Sequence, residues 1–214
     1  MSATPTVTVR GEGRVEGPPE LATVTGTVHA SGRTSAQVTA ALAAALRQLE
    51  EARPDIAYEG VYTESVRVTP VIDHRRSGAV TGYAGNAATR LVLSDFDRVS
   101  EVVVALGAVG DVAVGGPEWS LRHDSPLYRQ ARTAAVHDAY ARARDYAAAV
   151  GGTLGELQAL SDTEAGGPVW RAAAMSRGAA APEPSFDLTP RDEVVTAQVT
   201  ATFVLDDVPP PGVP

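Results

Sequence analysis

The chain has 214 residues, of which 44% are hydrophobic and 21% charged, and its formal net charge is −8. That length suffices for one large domain or two small ones. Cysteine and lysine are both absent, which excludes disulfides, thiolate metal sites, lysine Schiff bases and the lysine of a phosphate-binding loop. Because the negative charge repels polyphosphate, we expect no nucleic-acid partner.

The sequence as given has no evident targeting or membrane segment. Residues 1–6 lack the basic and apolar regions of a secretory signal. No apolar run approaches the 18 residues that a membrane helix needs. We therefore expect a cytoplasmic protein that does not bind membranes.

Two alternating segments open the chain. Residues 6–10 alternate between apolar and polar, and Gly11-Glu12-Gly13 is expected to end this first strand at a turn. Residues 21–30 alternate again, with small apolar residues on one face and threonines on the other. This second pattern predicts an antiparallel strand whose dry face packs closely against another element.

A helix and a hairpin follow. Thr34 and Gln37 fit a capping box at the start of a helix, and Pro54 requires that helix to end by the preceding residue. Strands are predicted at about 60–72 and 80–93, with a polar, glycine-containing tip between them.

The second half begins with a helix around residues 96–106 and a strand over 111–121, in which Gly115-Gly116-Pro117 predicts a bulge. Ser125-Pro126 is a strong helix start, because a capping hydroxyl precedes proline at the first helical position. The third helix should end near Val150, and it carries a ridge of alanines suited to close packing. The ridge consists of Ala131, Ala135, Ala139 and Ala143.

The chain closes with strands at about 154–160 and 193–205, separated by residues 164–190, which show no periodicity. This separating segment is expected to be a flexible loop or interaction arm. Residues 207–214 are proline-rich, and we expect them to be disordered. The order ββα-ββα-βα-ββ predicts an α+β fold with largely antiparallel sheets and about three packed helices. One domain over 6–206 is expected, with two α+β halves meeting near 75–95 as an alternative.

Several motifs in this order resemble the SIMPL-domain family of bacterial proteins. The matching segments are Val7-Thr8-Val9-Arg10-Gly11-Glu12-Gly13, Pro19-Glu20-Leu21-Ala22, Val66-Arg67-Val68-Thr69-Pro70, Gly82-Tyr83-Ala84, the alanine-rich helix through Ala149 and Gly151-Gly152-Thr153-Leu154-Gly155. Glu20 stands where the family typically has aspartate. The resemblance covers about residues 6–206, and it implies an α+β fold, frequent oligomerisation and no established reaction. Relatives include periplasmic immunogenic proteins and an oxidative-stress defence protein, and many carry signal peptides.

Residues that could perform chemistry are few. His123-Asp124-Ser125 place the three residue types of a hydrolytic triad side by side, but helix capping by Ser125 explains them better. The histidines are scattered without metal-ligand spacing. Gly11-x-Gly13 is not followed by a helix, so it does not resemble a phosphate cradle. We therefore predict no catalytic residue, cofactor or metal site.

Two segments are candidates for interaction. His74, Arg75 and Arg76 form a basic cluster in the predicted hairpin tip, which is either a solvated turn or a site for an anion or an acidic partner. The apolar residues of the 164–190 arm either fold back onto their own domain or contact a neighbouring subunit. They are Trp170, Met175 and Phe186.

We consider two functions. The favoured hypothesis is a non-enzymatic, self-associating SIMPL-type protein, a scaffold or binding module with a possible stress link, with a protein partner bound through the arm. The alternative is a small-molecule binding protein or hydrolase with a site between the sheet and the alanine-rich helix. Its pocket would be lined by Tyr83, Arg122, His123 and Tyr128.

Overall fold

Strands and helices follow one another as ββα-ββα-βα-ββ in the computed structural model, which describes residues 4–73, 78–163 and 188–209. The strands are β1 (Thr6–Gly17), β2 (Leu21–Gly32), β3 (Gly60–Asp73), β4 (Ala79–Leu93), β5 (Val112–Ser120), β6 (Thr153–Thr163) and β7 (Glu193–Asp206). The helices are α1 (Ser35–Ala52), α2 (Val99–Gly107) and α3 (Pro126–Ala149), with a short 3₁₀ helix (Phe96–Arg98) before α2. The strand pairings in the described ranges are antiparallel. The predicted α+β class and element order are confirmed.

The chain divides into two units, each with its own sheet. The described parts of unit 1 are residues 4–18, 123–163 and 192–209. Those of unit 2 are residues 19–73, 78–122 and 188–191. Unit 1 is therefore assembled from segments that are far apart in the sequence.

Unit 2 has a four-stranded sheet in the order β3-β4-β2-β5, and α1 and α2 supply its apolar cover. The predicted dry face of β2 is confirmed, since Ala22, Val24 and Val28 are fully buried. The capping box also forms: the Gln37 N–H donates to the Thr34 hydroxyl, and the Gln37 side chain accepts from the Thr34 N–H. The helices contribute valines and leucines to this core, and these side chains are fully or almost fully buried. They are Val38, Leu42, Leu49, Val99, Val102 and Leu106.

Unit 1 has a three-stranded sheet in the order β1-β7-β6, with α3 on one face. The alanine ridge lies against this sheet, and its residues are at most 1% exposed. The only aromatic residue buried in this core, within the described ranges, is Phe203, whose ring meets that of Tyr140 edge-on at a centroid distance of 4.8 Å. The core of unit 1 thus consists mainly of alanine, valine and glycine around one aromatic ring.

The expectation that Gly11-Glu12-Gly13 ends the first strand is wrong, because β1 continues to Gly17. Gly11 and Gly13 are buried within the strand and face α3. A Cβ atom placed on Gly11 would lie 2.1 Å from the carbonyl oxygen of Ala135, and one on Gly13 would lie 2.0 Å from that of Ala131. The glycines are needed for the close approach of a helix backbone to a strand, not for a turn.

Other local predictions vary in accuracy. The bulge at Gly115-Gly116-Pro117 is confirmed by a register shift in β5 opposite Thr23 and Thr25. Strand β6 extends over Thr153–Thr163, beyond the predicted 154–160.

Of the predicted arm, only residues 188–190 are described, and there Leu188 packs against the core of unit 2. No helix in the described ranges combines the length and apolarity that crossing a membrane requires.

Candidate functional site

The four pocket candidates fall in both units. In unit 2, Tyr83 lies on β4 opposite Pro70 and packs against the core, whereas Arg122 follows β5. In unit 1, His123 precedes α3 with its side chain 97% exposed, and Tyr128 is half-buried in the first turn of α3. Two of the four candidates therefore belong to unit 2 and two belong to unit 1.

The contact between α3 and β1 leaves no room for a ligand at its centre. Gly11 and Gly13 bring the two backbones together, as described above. Ala135 and Ala139, which face these glycines, are fully buried. In unit 2, a small, partly open cavity is lined in part by Gly26, Leu49 and Leu106. Its volume of about 10 Å³ is at most the space of one water molecule.

Arg122 is held by two glutamates of unit 2. Its guanidinium donates to both carboxylate oxygens of Glu59, at 3.1 and 2.5 Å. Its backbone N–H donates to Glu20 Oε2 at 2.8 Å. The Glu20 backbone N–H in turn donates to the carbonyl of Ser120. These bonds join the starts of β2 and β3 to the end of β5, so Arg122 serves as a clamp among strand ends.

The clamp changes the acidity of Glu59. Hydrogen bonds from Arg122 and then from Ser94 lower the pKa of Glu59 from its ordinary value of 4.5 to about 2. A carboxylate whose pKa is depressed by folding contributes stability above its unfolded pKa. That contribution is lost progressively as the pH falls from about 4.5 towards 2.

This linkage gives a testable expectation for Glu59→Gln. At neutral pH the variant should unfold at a lower urea concentration than the wild type, because the neutral amide cannot form the bidentate ion pair. The difference should shrink as the pH is lowered to about 3, where the wild-type clamp also weakens. Glu51→Gln, at an exposed position on α1, is the control. A Glu59→Gln difference that is independent of pH would show that the ion pair is not the source of the effect.

His123, Asp124 and Ser125 do not form a triad. The His123 and Asp124 side chains are largely exposed, with a closest separation of 4.0 Å between Nδ1 and Oδ1. The Ser125 hydroxyl accepts from the Leu127 N–H at 3.4 Å, which confirms its predicted role as the cap of α3. Within the described ranges, no three His, Asp or Glu residues gather closely enough to hold a metal ion.

An apolar strip runs along the β3–β4 hairpin on the helix side of the sheet of unit 2. Alternate residues of a strand share a face, and Gly85, directly opposite Val68, faces Val38 and Leu42 of α1. Val80 joins this face because it lies opposite Ile72. We call this set the hairpin strip: Val66, Val68, Pro70, Ile72 and Val80.

Most of the hairpin strip is exposed. Val68 is half-buried against the core, but Val66 and Val80 are 56% and 53% exposed. The hairpin also extends beyond β2, since the β2 pairing of β4 ends at Tyr83 and only β3 pairs with the residues before it. The strip thus continues the core-facing side of the sheet past the helices that cover it.

A second exposed feature lies at the outer edge of β1 in unit 1. An open groove of about 320 Å³ is bounded there by β1 and the C-terminal half of α3. Its lining residues are Val7, Thr8, Val9, Arg10, Arg142 and Tyr146. Asp138 of α3 accepts from the Glu12 N–H at 2.9 Å beside this groove, and Arg142 pairs with Asp138 at 2.9 Å.

The sequence-predicted interaction residues lie outside the described residues. They are His74, Arg75, Arg76, Trp170, Met175 and Phe186. Sequence reasoning missed Glu20, Glu59 and Asp138, whose partners are distant in the chain. Glu20 had one signal, its position in the Pro-Glu-Leu-Ala motif, whereas nothing in the local sequence distinguishes Asp138.

The chain matches one known protein family. The SIMPL family, described as "Protein of unknown function (DUF541)", matches residues 7–203. That range extends from β1 to the buried Phe203 of β7 and so includes all the surfaces described above. A comparison with curated proteins yields no match. The chain belongs to the SIMPL (DUF541) family.

Proposed function

We propose that this SIMPL protein is a non-catalytic, self-associating binding module, and that two copies meet through the hairpin strip. The observation that supports this proposal most strongly is the strip's exposure. Among the described residues, six of the eleven exposed large apolar side chains lie on β3 and β4, and three of these six belong to the strip. The three are Val66, Ile72 and Val80.

Such a concentration favours an interface. Burial of apolar surface contributes about 25 cal/mol of stabilising free energy per Å². The half-exposed valine and isoleucine side chains do not gain this free energy for the surface that stays in water. Single exposed apolar residues are common, but a contiguous patch on a monomer is typically functional. Because the strip lies on one face of a long hairpin, two copies related by a two-fold axis can pack their identical strips against each other.

Symmetry favours a second copy of the chain as the occupant. A second copy presents an identical apolar strip, so the two strips can cover each other's exposed valine and isoleucine side chains. Association between identical subunits commonly forms a two-fold dimer.

The test compares two neighbouring residues of β3. Ile72 belongs to the strip, whereas Val71 points to the opposite face, and their exposures are almost equal at 44% and 45%. In size-exclusion chromatography with light scattering, the wild type should associate at about 50 μM, and Ile72→Lys should be monomeric. Val71→Lys should associate like the wild type.

A monomeric wild type at that concentration would contradict the proposal. So would Val71→Lys and Ile72→Lys proteins that lose association equally. Circular dichroism would establish that both lysine variants remain folded, which is expected because both side chains already contact solvent.

The wider role that we propose is a cytoplasmic scaffold or binding module. A link to stress responses is supported only by the resemblance to family relatives that act in oxidative-stress defence. This role would rest on exposed surfaces of the protein, of which the hairpin strip is one.

A further inference from the structure

The outer edge of β1 presents backbone donors and acceptors to solvent. In the described part of unit 1, β1 pairs only with β7. The Pro5 carbonyl accepts from the Leu205 N–H, and the Glu12 N–H donates outward to Asp138. Because backbone groups alternate along a strand, the odd residues face β7 and the even residues face outward. The outward set next to the groove is therefore Thr8 and Arg10.

The contact at Glu12 shows that an outward N–H of this edge can donate to a carboxylate. Asp138 places a carboxylate oxygen 2.9 Å from the Glu12 N–H at the end of the groove. An uncovered strand edge can pair with any extended chain, and here α3 satisfies one edge donor by supplying a carboxylate. The donors of Thr8 and Arg10, further along the same edge, border open space in the groove.

The side chains of the groove add charge and an aromatic surface. Arg10 lies on the exposed face of β1, and Arg142 and Tyr146 project from α3. A strand laid beside β1 would present alternate side chains to these two sides. Acidic side chains suit the arginines, and an apolar side chain suits the exposed ring of Tyr146.

We propose that the edge of β1 at Thr8–Arg10 is a binding site for an extended acidic peptide of a partner protein, which adds to the sheet of unit 1 as a fourth strand. The backbone of the peptide bonds to the outward groups of Thr8 and Arg10, and its carboxylates contact Arg10 and Arg142. This mode is strand addition, in which the main chain gives affinity and alternate side chains give specificity.

The probe is a capped, fluorescein-labelled peptide of alternating valine and glutamate, six residues long, measured by fluorescence anisotropy with the full chain. We expect saturable binding with a dissociation constant of about 10–100 μM. A peptide with lysine in place of glutamate should bind at least about tenfold more weakly. Methylation of the backbone nitrogens of the valine–glutamate peptide should abolish binding, because it removes the donors that a strand requires.

Thr8 supplies a matched pair of variants. Thr8→Pro removes one outward N–H, and proline is tolerated on an edge strand when its nitrogen faces away from the ladder. Thr8→Val keeps that N–H and loses only the hydroxyl, which contacts the Thr202 hydroxyl at 2.9 Å. Binding should weaken at least about tenfold in Thr8→Pro and less than about twofold in Thr8→Val.

Arg142→Gln, on the surface of α3, tests the charge without altering the strand. It should weaken binding of the glutamate peptide and reduce the preference over the lysine peptide. The proposal is overturned if the glutamate peptide does not bind, if both peptides bind equally, or if Thr8→Pro binds like Thr8→Val. It is also overturned if Thr8→Pro dissociates a dimer, because the edge would then be occupied by a second copy.

Discussion

Replacing Gly13 by alanine should destabilise unit 1 by at least about 3 kcal/mol, one of the largest effects expected of any single methyl group in this protein. The added Cβ would lie 2.0 Å from the Ala131 carbonyl oxygen and 2.5 Å from the Ala135 backbone nitrogen. Both are backbone atoms of α3, so no side chain can rotate away. Either the helix must move off the strand or the strand must bend.

Hydrogen exchange by mass spectrometry on the full chain would locate the effect. Peptides from β1, α3 and β7 should exchange faster in Gly13→Ala, and Gly11→Ala should behave in the same way, since its Cβ would lie 2.1 Å from the Ala135 carbonyl oxygen. Gly115→Ala is the control, because the nearest atom to its Cβ is the Thr25 carbonyl oxygen at 3.9 Å. Equal destabilisation by Gly13→Ala and Gly115→Ala would contradict the close packing of helix and strand.

Truncating Phe203 to alanine should cost about 3–5 kcal/mol. The ring is fully buried, and it is surrounded by small residues of β1, β7 and α3 that cannot expand to fill the space. The edge-on contact with Tyr140 would also be lost. Urea denaturation followed by circular dichroism would measure the change.

Leu157→Ala provides the comparison for Phe203. Leu157 lies opposite Phe203 on β6 and is 39% exposed. Because water already contacts this side chain, its truncation should cost less than about 1 kcal/mol. A Phe203→Ala protein no less stable than Leu157→Ala would show that the ring does not fill the core of unit 1.

Local patterns of the sequence predicted the secondary structure well, because each pattern depends on neighbours along the chain. The alternation of β2, the capping box of α1 and the alanine ridge of α3 all have such local causes. The error at Gly11 and Gly13 has a physical reason. Two glycines serve equally well in a turn and beneath a helix, and the two uses differ only in whether another element packs against them.

The surfaces were harder to predict, because they depend on contacts between distant segments. Arg122 was expected to line a pocket, but its partners Glu20 and Glu59 lie 102 and 63 residues away. In the sequence, the residues of the hairpin strip show the alternation that is typical of an ordinary core-facing strand. Its exposure arises because β3 is the edge of its sheet and extends beyond β2, and neither fact is encoded in the local alternation of residues.

The most direct test of the proposed self-association uses the absence of cysteine from the chain. A single cysteine at Ile72 would be the only thiol in the protein, and a two-fold contact of the hairpin strip whose axis passes near Ile72 would bring two such thiols together. Mild oxidation of Ile72→Cys should therefore yield a disulfide-linked dimer at low protein concentration. Val71→Cys, equally exposed on the opposite face, should remain largely monomeric. Equal cross-linking of the two variants, or none in Ile72→Cys, would contradict the account.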